Sequence, residues 1–457
     1  MTQTTERKVD AGLREGVMSG PELAAQAIAS IAPSAVIAFT AAAIFLGAGN
    51  STMMAFALAT VVILCVGYIV SKGLGPTGAF AAGVALLIGS WGIAAGSLGG
   101  AVSYASDLLQ LFGVPATSTA WLVALTIVIG GLATFFTIRG IRISARISLV
   151  LELVSVFIIV VLLVAALAWL GPDAWDPAQF SFEGVPFQGV AAGMVLGILG
   201  FVGFSSADAL GREARNPHTA IPRAIMWSAV VVGVLSVVAA YTQIAVLGDE
   251  LGEVASPLQE INDRIGMPAW FAPVLVFGVA ASFFAVVVAP LNVVGRIIYV
   301  MGKEGIAPER FGRTHETHLT PHRVLLIAGP AAIVLDIILL LIGTHPMDIV
   351  VWVDTYGTYG YMVAYALVAI AGVIYTRRAG IPNRLVWLCA VVAVVAMTYV
   401  FFANVWPIPA FPLNVIPYLF VGTMLLAFVR FWWIKANRPE VLKNVGNTHT
   451  EMLEGVG

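Results

Sequence analysis

Residues 197–222 read Gly197-Ile-Leu-Gly-Phe-Val-Gly-Phe-Ser-Ser-Ala-Asp-Ala-Leu-Gly-Arg-Glu-Ala-Arg-Asn-Pro-His-Thr-Ala-Ile-Pro222. The stretch begins as the second half of an apolar run that starts near Gln188. Glycines at 197, 200 and 203, followed by Ser205-Ser206, make a weak helix, because glycine loses the most backbone freedom on folding and serine competes for backbone hydrogen bonds. At bilayer depth a helix opens only where its freed N–H and C=O groups line a cavity or meet protein partners. Two readings follow: an interrupted membrane helix that builds a binding site, or a small-residue face on which helices pack closely.

The rest of the chain supports the membrane setting. Of its 457 residues 60% are hydrophobic and 11% charged, with a mean hydropathy of +0.95; a soluble protein carries about 25% charged residues. The apolar runs are long enough for membrane helices of about 20 residues. Twelve spans are expected, at 23–48, 52–71, 78–112, 119–138, 146–170, 188–210, 221–246, 270–300, 323–343, 348–376, 384–405 and 414–435. Cys65 and Cys389 lie in separate runs, which argues against a disulfide framework or a metal site. No cleavable leader is expected, since mixed-charge residues to about Pro21 lead straight into a full-length span.

The connections alternate in charge. Of the 23 Lys and Arg residues, all but Arg264 fall on one side, from Arg7, Lys8 and Arg14 through Lys72, Arg139, Arg215, Arg296, Arg323 and Arg377 to Lys443. The positive-inside rule then predicts a multi-pass protein of the cell membrane with both termini in the cytoplasm. The opposite connections are acidic, with Asp173, Asp176, Glu183, Asp249, Glu250, Glu253, Glu260 and Asp263. Such a surface is either plain solvated loop or a field that concentrates cationic solutes.

The first span carries a second interruption, Ile28-Ala-Ser-Ile-Ala-Pro-Ser-Ala-Val-Ile37. Pro33 has no N–H and blocks the hydrogen bond its position otherwise makes. Spans one and six lie five apart, so they run in opposite directions, as an inverted repeat requires.

Two motifs carry a family likeness. Gly200-Phe-Val-Gly-Phe-Ser-Ser-Ala followed by Leu210-Gly-Arg-Glu-Ala-Arg-Asn-Pro-His-Thr-Ala-Ile-Pro-Arg223 resembles the sixth span and following loop of amino acid–polyamine–organocation permeases. Leu291-Asn-Val-Val-Gly-Arg-Ile-Ile-Tyr-Val-Met-Gly-Lys-Glu-Gly-Ile-Ala-Pro308, running on to Thr320-Pro-His-Arg323, is similar to the loop after that family's eighth span. Weaker matches are Gly140-Ile-Arg-Ile-Ser-Ala-Arg146 and Pro439-Glu-Val-Leu442. The resemblance implies an all-α integral membrane protein with twelve transmembrane helices in a leucine-transporter-type 5+5 inverted repeat plus two C-terminal helices. The expected divisions are an N-terminal segment 1–22, a first five-helix repeat 23–170, a second 188–376, helices 11 and 12 over 384–435, and a tail 436–457.

It further implies a substrate at mid-membrane between the two interrupted spans, backed by spans three, eight and ten. The substrate-binding candidates are Ile31, Pro33, Ser34, Ala35, Val36, Phe201, Gly203, Phe204 and Ser205. The family's glycine-serine-glycine turn in span one is Pro33-Ser34-Ala35 here. Pro33 cannot donate and Ala35 resists glycine-like angles, which leaves Ser34 and the amides of Ala35 and Val36 to meet a carboxylate. Ser205 replaces the acid often found after Gly-Phe. Ser155 stands where many proton-coupled relatives carry a lysine. The loop Val70–Pro76 is short by roughly 20 residues on the family pattern, a difference that displaces the start of span three.

Asp107, Glu152, Asp208, Asp336 and Asp354 fall within spans, where a central charge costs on the order of 2.5 kcal/mol or more. Asp107 and Asp354 lie near outer ends and are expected to reach water. Asp208 sits beside Arg212 and Arg215 as a candidate gate. Glu152, two turns into span five with Ser148 and Ser155 on neighbouring faces, is the candidate proton carrier, against a plain pairing with Arg142 or Arg146. Ser282 in span eight offers a sodium site one hydroxyl and no second beside it, so coupling to protons is expected. Around the site stand Phe201, Phe204, Trp91, Tyr356 and Tyr359, as cation–π partners or as packing.

The expected function is a secondary active transporter that imports an amino acid or related amine, with a proton as coupling ion, the lipid bilayer as surroundings, no cofactor and no nucleic acid. An amine exchanger is the alternative; a channel and a transporter-like sensor are the other classes. No nucleophile–base set, metal-ligand cluster or phosphate loop argues for an enzyme, and Gly302-Lys-Glu-Gly305 lacks P-loop spacing. The sequence sets no oligomeric state.

Overall fold

The structure is a computed structural model that describes residues 16, 18–31, 33–67, 75–182, 187–210, 213–254, 256–378, 380, 383–406 and 408–445. The side chains of Arg142, Ser205 and Asp208 lie outside the described residues, as do Ala32, Gly211, Arg212 and most of the short connection at 68–74.

The chain folds into helices throughout. In order these are α1 (Gly20–Ile31), α2 (Pro33–Ala48), α3 (Thr52–Gly67), α4 (Gly75–Leu111), α5 (Thr119–Arg139), α6 (Ile141–Leu170) and α7 (Phe187–Leu199). They continue as α8 (Pro217–Leu247), α9 (Pro257–Arg264), α10 (Phe271–Lys303), α11 (His322–Leu341), α12 (Pro346–Arg378), α13 (Arg384–Ala403), α14 (Ile416–Asn437) and α15 (Pro439–Asn444). Among the described residues eleven helical segments are long and apolar enough to cross a membrane.

The expected sixth span is different. It comprises the 13-residue α7, a turn at 200–203 and a 3₁₀ stretch at Phe204–Leu210. Its glycines and serines account for the break, since a helix needs residues that hold helical angles at low entropic cost. By contrast α4, α10 and α12, at 37, 33 and 33 residues, extend about 50 Å or more at 1.5 Å per residue. They exceed a hydrocarbon core of about 30 Å and must tilt or project.

The interior is held by small residues and long apolar ones together. Where α4 meets α12, Gly92 lies against Gly357 and Gly89 against Gly360. A Cβ on Gly92 would come 2.6 Å from the Gly357 Cα, and one on Gly360 would come 2.6 Å from the Gly89 nitrogen. Backbone-to-backbone approach of this kind is what small-residue faces allow. Around this centre α5, α11, α13 and α14 turn outward with exposed Leu132, Leu326, Val395 and Leu426, an apolar surface that hydrocarbon, not water, has to cover.

Candidate functional site

The Pro33 region of the first span touches the break of the second stretch. Helix α1 is described to Ile31 and α2 from Pro33, with Ala32 between them outside the described residues. Opposite, the helical ladder of α7 stops, and Gly203 takes φ +98° with its Cα against the Ser30 carbonyl; a Cβ there would lie 2.5 Å from that oxygen. Gly200 in turn faces Val36, whose Cγ1 would stand 2.9 Å from a Cβ at 200. The other glycines of the opening stretch behave differently. Gly193 and Gly197 receive α2 and α3 through Ile44 and Ala59. The glycines thus divide by position: close packing up to 197, and the end of the regular helix from 200 on.

Glu152 of α6 reaches the first span just after Pro33. One carboxylate oxygen accepts from the Ser34 N–H (3.4 Å) and the Ser34 hydroxyl (3.2 Å), and the other accepts from the Ser282 hydroxyl of α10 (2.7 Å). All three residues are buried. The hydroxyls of Ser30, Ser148 and Ser155 are buried nearby on the same elements with no partner among the described residues. Arg146 does not pair with Glu152; its guanidinium binds Glu22 at 3.3 Å.

Of the nine substrate-binding candidates, Ile31, Ser34, Ala35, Val36, Phe201 and Phe204 are buried around the two breaks, with Pro33 and Gly203 between them. The Ser205 side chain lies outside the described residues. Two tyrosines of α12 that sequence reasoning missed border the same place. The Tyr365 hydroxyl accepts from the Gly203 N–H at 3.3 Å, and its ring meets Phe204 edge-on at 5.2 Å. Tyr361 shares a hydrogen bond of 2.9 Å with Ser90 of α4. The other aromatics point away. The Trp91 indole donates to the Ala328 carbonyl of α11, Tyr356 to Thr423 of α14, and Tyr359 packs on Phe401 and Phe420. The i, i+4 spacing of Tyr361 and Tyr365 puts both on one helix face, but nothing in an apolar sequence says which face looks inward.

Next to the site, on the side of the chain richest in basic residues, lies a latch. Arg296 of α10 grips Glu213 through two parallel bonds of 2.8 and 2.7 Å, with both side chains nearly sealed, and also donates to the Asn292 carbonyl at 2.8 Å. Glu213 belongs to the segment after the second break. That segment pairs with the chain just before α1: the Met18 N–H donates to the Glu213 carbonyl (2.7 Å) and the Arg215 N–H to the Met18 carbonyl (3.1 Å). At the start of α1, Glu22 accepts from both the Ser19 N–H and the Ser19 hydroxyl, the side-chain-to-backbone half of a capping box. The gate expected at Asp208 falls on a side chain outside the described residues.

A broken helix packed against the Pro33 region of the first span, within a bundle of membrane-length helices, accords with a multi-pass membrane transporter of the permease type. The family described as amino acid permease matches residues 16–429, and the chain belongs to it. Among relatives, the branched-chain amino acid permease of Bacillus subtilis is 21% identical over 54% of this chain and 50% of its own length. An uncharacterised transporter of Mycobacterium tuberculosis is 26% identical over 85% of each chain. Cationic amino acid transporter 4 of Mus musculus is 26% identical over 45% of this chain and 32% of its own. In fold, the chain is similar to a solved Na+-coupled sialic acid symporter in a substrate-bound outward-open state, with TM-score 0.52, 12% identity, and coverage of 84% of this chain and 89% of that one. Among the described residues no group of three His, Cys, Asp or Glu is placed to hold a metal.

Proposed function

We propose that the protein imports an amino acid or related amine by alternating access, coupled to protons through Glu152. The arrangement proposed is the leucine-transporter type, with twelve spans. Residues 23–170 and 188–376 form two inverted five-helix repeats, 384–435 the two added helices, and 1–22 and 436–457 the cytoplasmic ends. Ile31, Pro33, Ser34, Ala35, Val36, Phe201, Gly203, Phe204 and Ser205 contact the substrate. Ser155, Asp208 and Ser282 assist coupling or gating.

One observation carries this reading: the Glu152 carboxylate joins Ser34, next to Pro33 in the first span, to Ser282 of α10. A protonatable group so placed links its own charge to whether α1–α2 stays against α10. Protonation removes the negative charge from the start of α2 and weakens both bonds, since hydrogen bonds to a charged acceptor are the stronger kind. The Ser282 hydroxyl is already committed to Glu152, which leaves a sodium cage without it.

The same contact bears on substrate choice. The chain's own carboxylate occupies the Ser34 amide, the donor that a substrate carboxylate needs. An amine, met by the carbonyls where the half-helices end, at Ile31 and Phe201, is then the group recognised. The names of several relatives, for branched-chain and cationic amino acids, agree with a solute carrying an amine.

The test is uptake into proteoliposomes. An imposed pH gradient is expected to drive accumulation, and replacing sodium by choline to leave it unchanged. Glu152→Gln is expected to abolish the response to pH. A Glu152→Gln protein that keeps its pH response shows the residue to be structural. A strict sodium requirement refutes the coupling altogether, and passive equilibration alone marks a channel.

A further inference from the structure

We propose that Asp336 of α11 and Asp354 of α12 form a proton-binding carboxyl pair between α4, α11 and α12, separate from Glu152. Asp336 lies between Ala332 and Leu340 at intervals of four residues, so the three share one face of α11. Ala332 and Leu340 pack with Ala95 of α4 and with Ile349 and Val353 of α12. That face therefore looks into the junction of the three helices. Asp336 is fully buried, and neither carboxyl oxygen has a hydrogen-bond partner among the described residues.

Asp354 enters the same junction from α12. Its Oδ1 lies over Gly96 of α4, where a side chain on residue 96 would collide with it, and this oxygen too is buried without a partner. The expected exit of Asp354 to water is thus not where its Oδ1 points.

Among the described residues no Lys or Arg stands at the junction. On the packed elements, the basic groups Arg139, His322, Arg323, Arg377 and Arg378 stand at the far helix ends. The remaining titratable groups are engaged or distant. Asp107 of α4 accepts from Gln110 and faces His345, and Tyr104 stacks on Phe283. On α12, Tyr356, Tyr361 and Tyr365 bond elsewhere, Tyr359 packs between phenylalanines, Asp348 is in the first turn, and Tyr375 is near the opposite end.

The chemistry then selects the ligand. Burying two unpaired negative charges in one apolar junction is far costlier than burying acids of which one holds a proton. A metal cation wants roughly six oxygens, and the surrounding Ala95, Ala332, Leu340, Ile349 and Val353 bring no side-chain oxygen. A proton needs only a lone pair on the second carboxyl. Asp354, which is partly exposed, is the entry, and the sealed Asp336 is the end of the path. The pair stands on scaffold helices and does not depend on the Glu152 reading.

Infrared difference spectroscopy of the full-length protein in lipid nanodiscs, stepped between acidic and alkaline pH, tests this. Asp336→Asn is expected to remove one protonated-carboxyl band that Glu152→Gln leaves intact. Asp354→Asn is expected to move the pH midpoint of that band by one unit or more. A spectrum unchanged by both aspartate substitutions overturns the pair, and so does an Asp336 band whose midpoint ignores Asp354→Asn. If Asp336→Asn does not accumulate folded, Asp354→Asn and Asp354→Glu carry the test, and an unaltered pH response in both overturns it. Loss of pH-driven uptake in Glu152→Gln with the aspartate bands intact separates the two sites.

Discussion

Breaking the latch between Arg296 and Glu213 should cost more than any other single polar change in the protein. The two parallel bonds, at 2.8 and 2.7 Å, join side chains that are 3% and 1% exposed. Removing one partner strands the other as a buried charge, a loss of about 3–5 kcal/mol. Arg296→Met also frees the Asn292 carbonyl, adding about 1 kcal/mol. Glu213→Gln keeps a neutral acceptor and should fall at the lower end. The double variant removes both charges together, and because a well-packed apolar replacement of a buried pair is often neutral, it should be no worse than either single change. The coupling in the double-mutant cycle is then roughly 3 kcal/mol. Equilibrium unfolding in mixed detergent micelles reads it directly. In a background without Cys65 and Cys389, Met18→Cys adds a local reading. Met18 is fully buried and bonded to the Glu213 backbone, so its thiol should label slowly with Arg296–Glu213 intact and quickly in Glu213→Gln. A coupling below about 1 kcal/mol, with labelling unchanged, would show that the pair fills space and latches nothing.

Three further outcomes follow from single contacts. Gly203→Ala places a Cβ against the Ser30 carbonyl at a positive φ, where an L-residue costs about 1–2 kcal/mol before any clash; uptake should fall at least tenfold while the protein still elutes as a folded species, and normal uptake refutes the contact. In competition assays, decarboxylated analogues of a transported substrate should compete and N-acylated ones should not; equal competition by both sets removes the amine-recognition argument. Glu22→Gln, which removes the charge paired with the exposed Arg146 while keeping an acceptor for Ser19, should change stability by less than about 1 kcal/mol, and a larger loss in unfolding experiments assigns the largely buried Glu22 a greater role at the start of α1.

The sequence carried the breaks but not their surroundings. Gly200, Gly203 and Pro33 announce themselves because helix propensity is a local property; the break in the sixth span falls at its glycines, and the one expected at Pro33 adjoins Ala32, outside the described residues. Glu152 was legible as a rare acid in an apolar run, although Ser34 and Ser282, its partners, lie 118 and 130 residues away. The same separation hides the Arg296–Glu213 latch; each residue sits in a recognisable motif, and nothing in either motif names the other. Helix phase was the second blind spot. Where a helix is apolar on every side, periodicity does not distinguish inward from outward. Tyr361 and Tyr365 therefore went unnoticed beside Tyr356 and Tyr359, and Asp354 was read as water-facing although its Oδ1 lies over Gly96.

The approach of α4 to α12 sets a dimension of the molecule. At Gly92 and Gly357 nothing larger than hydrogen separates two main chains, so the gap between these helices is already the minimum that covalent geometry permits. Tyr361 and Tyr365 ride on α12 within three turns of that contact. Replacing either glycine with alanine must wedge the helices apart and carry both hydroxyls outward, away from Ser90 and Gly203. On the proposed site, the positions of both tyrosines are thus adjustable from a pair of glycines outside the proposed contact residues. Selection for a bulkier cargo has a lever there that leaves every contacting side chain as it is.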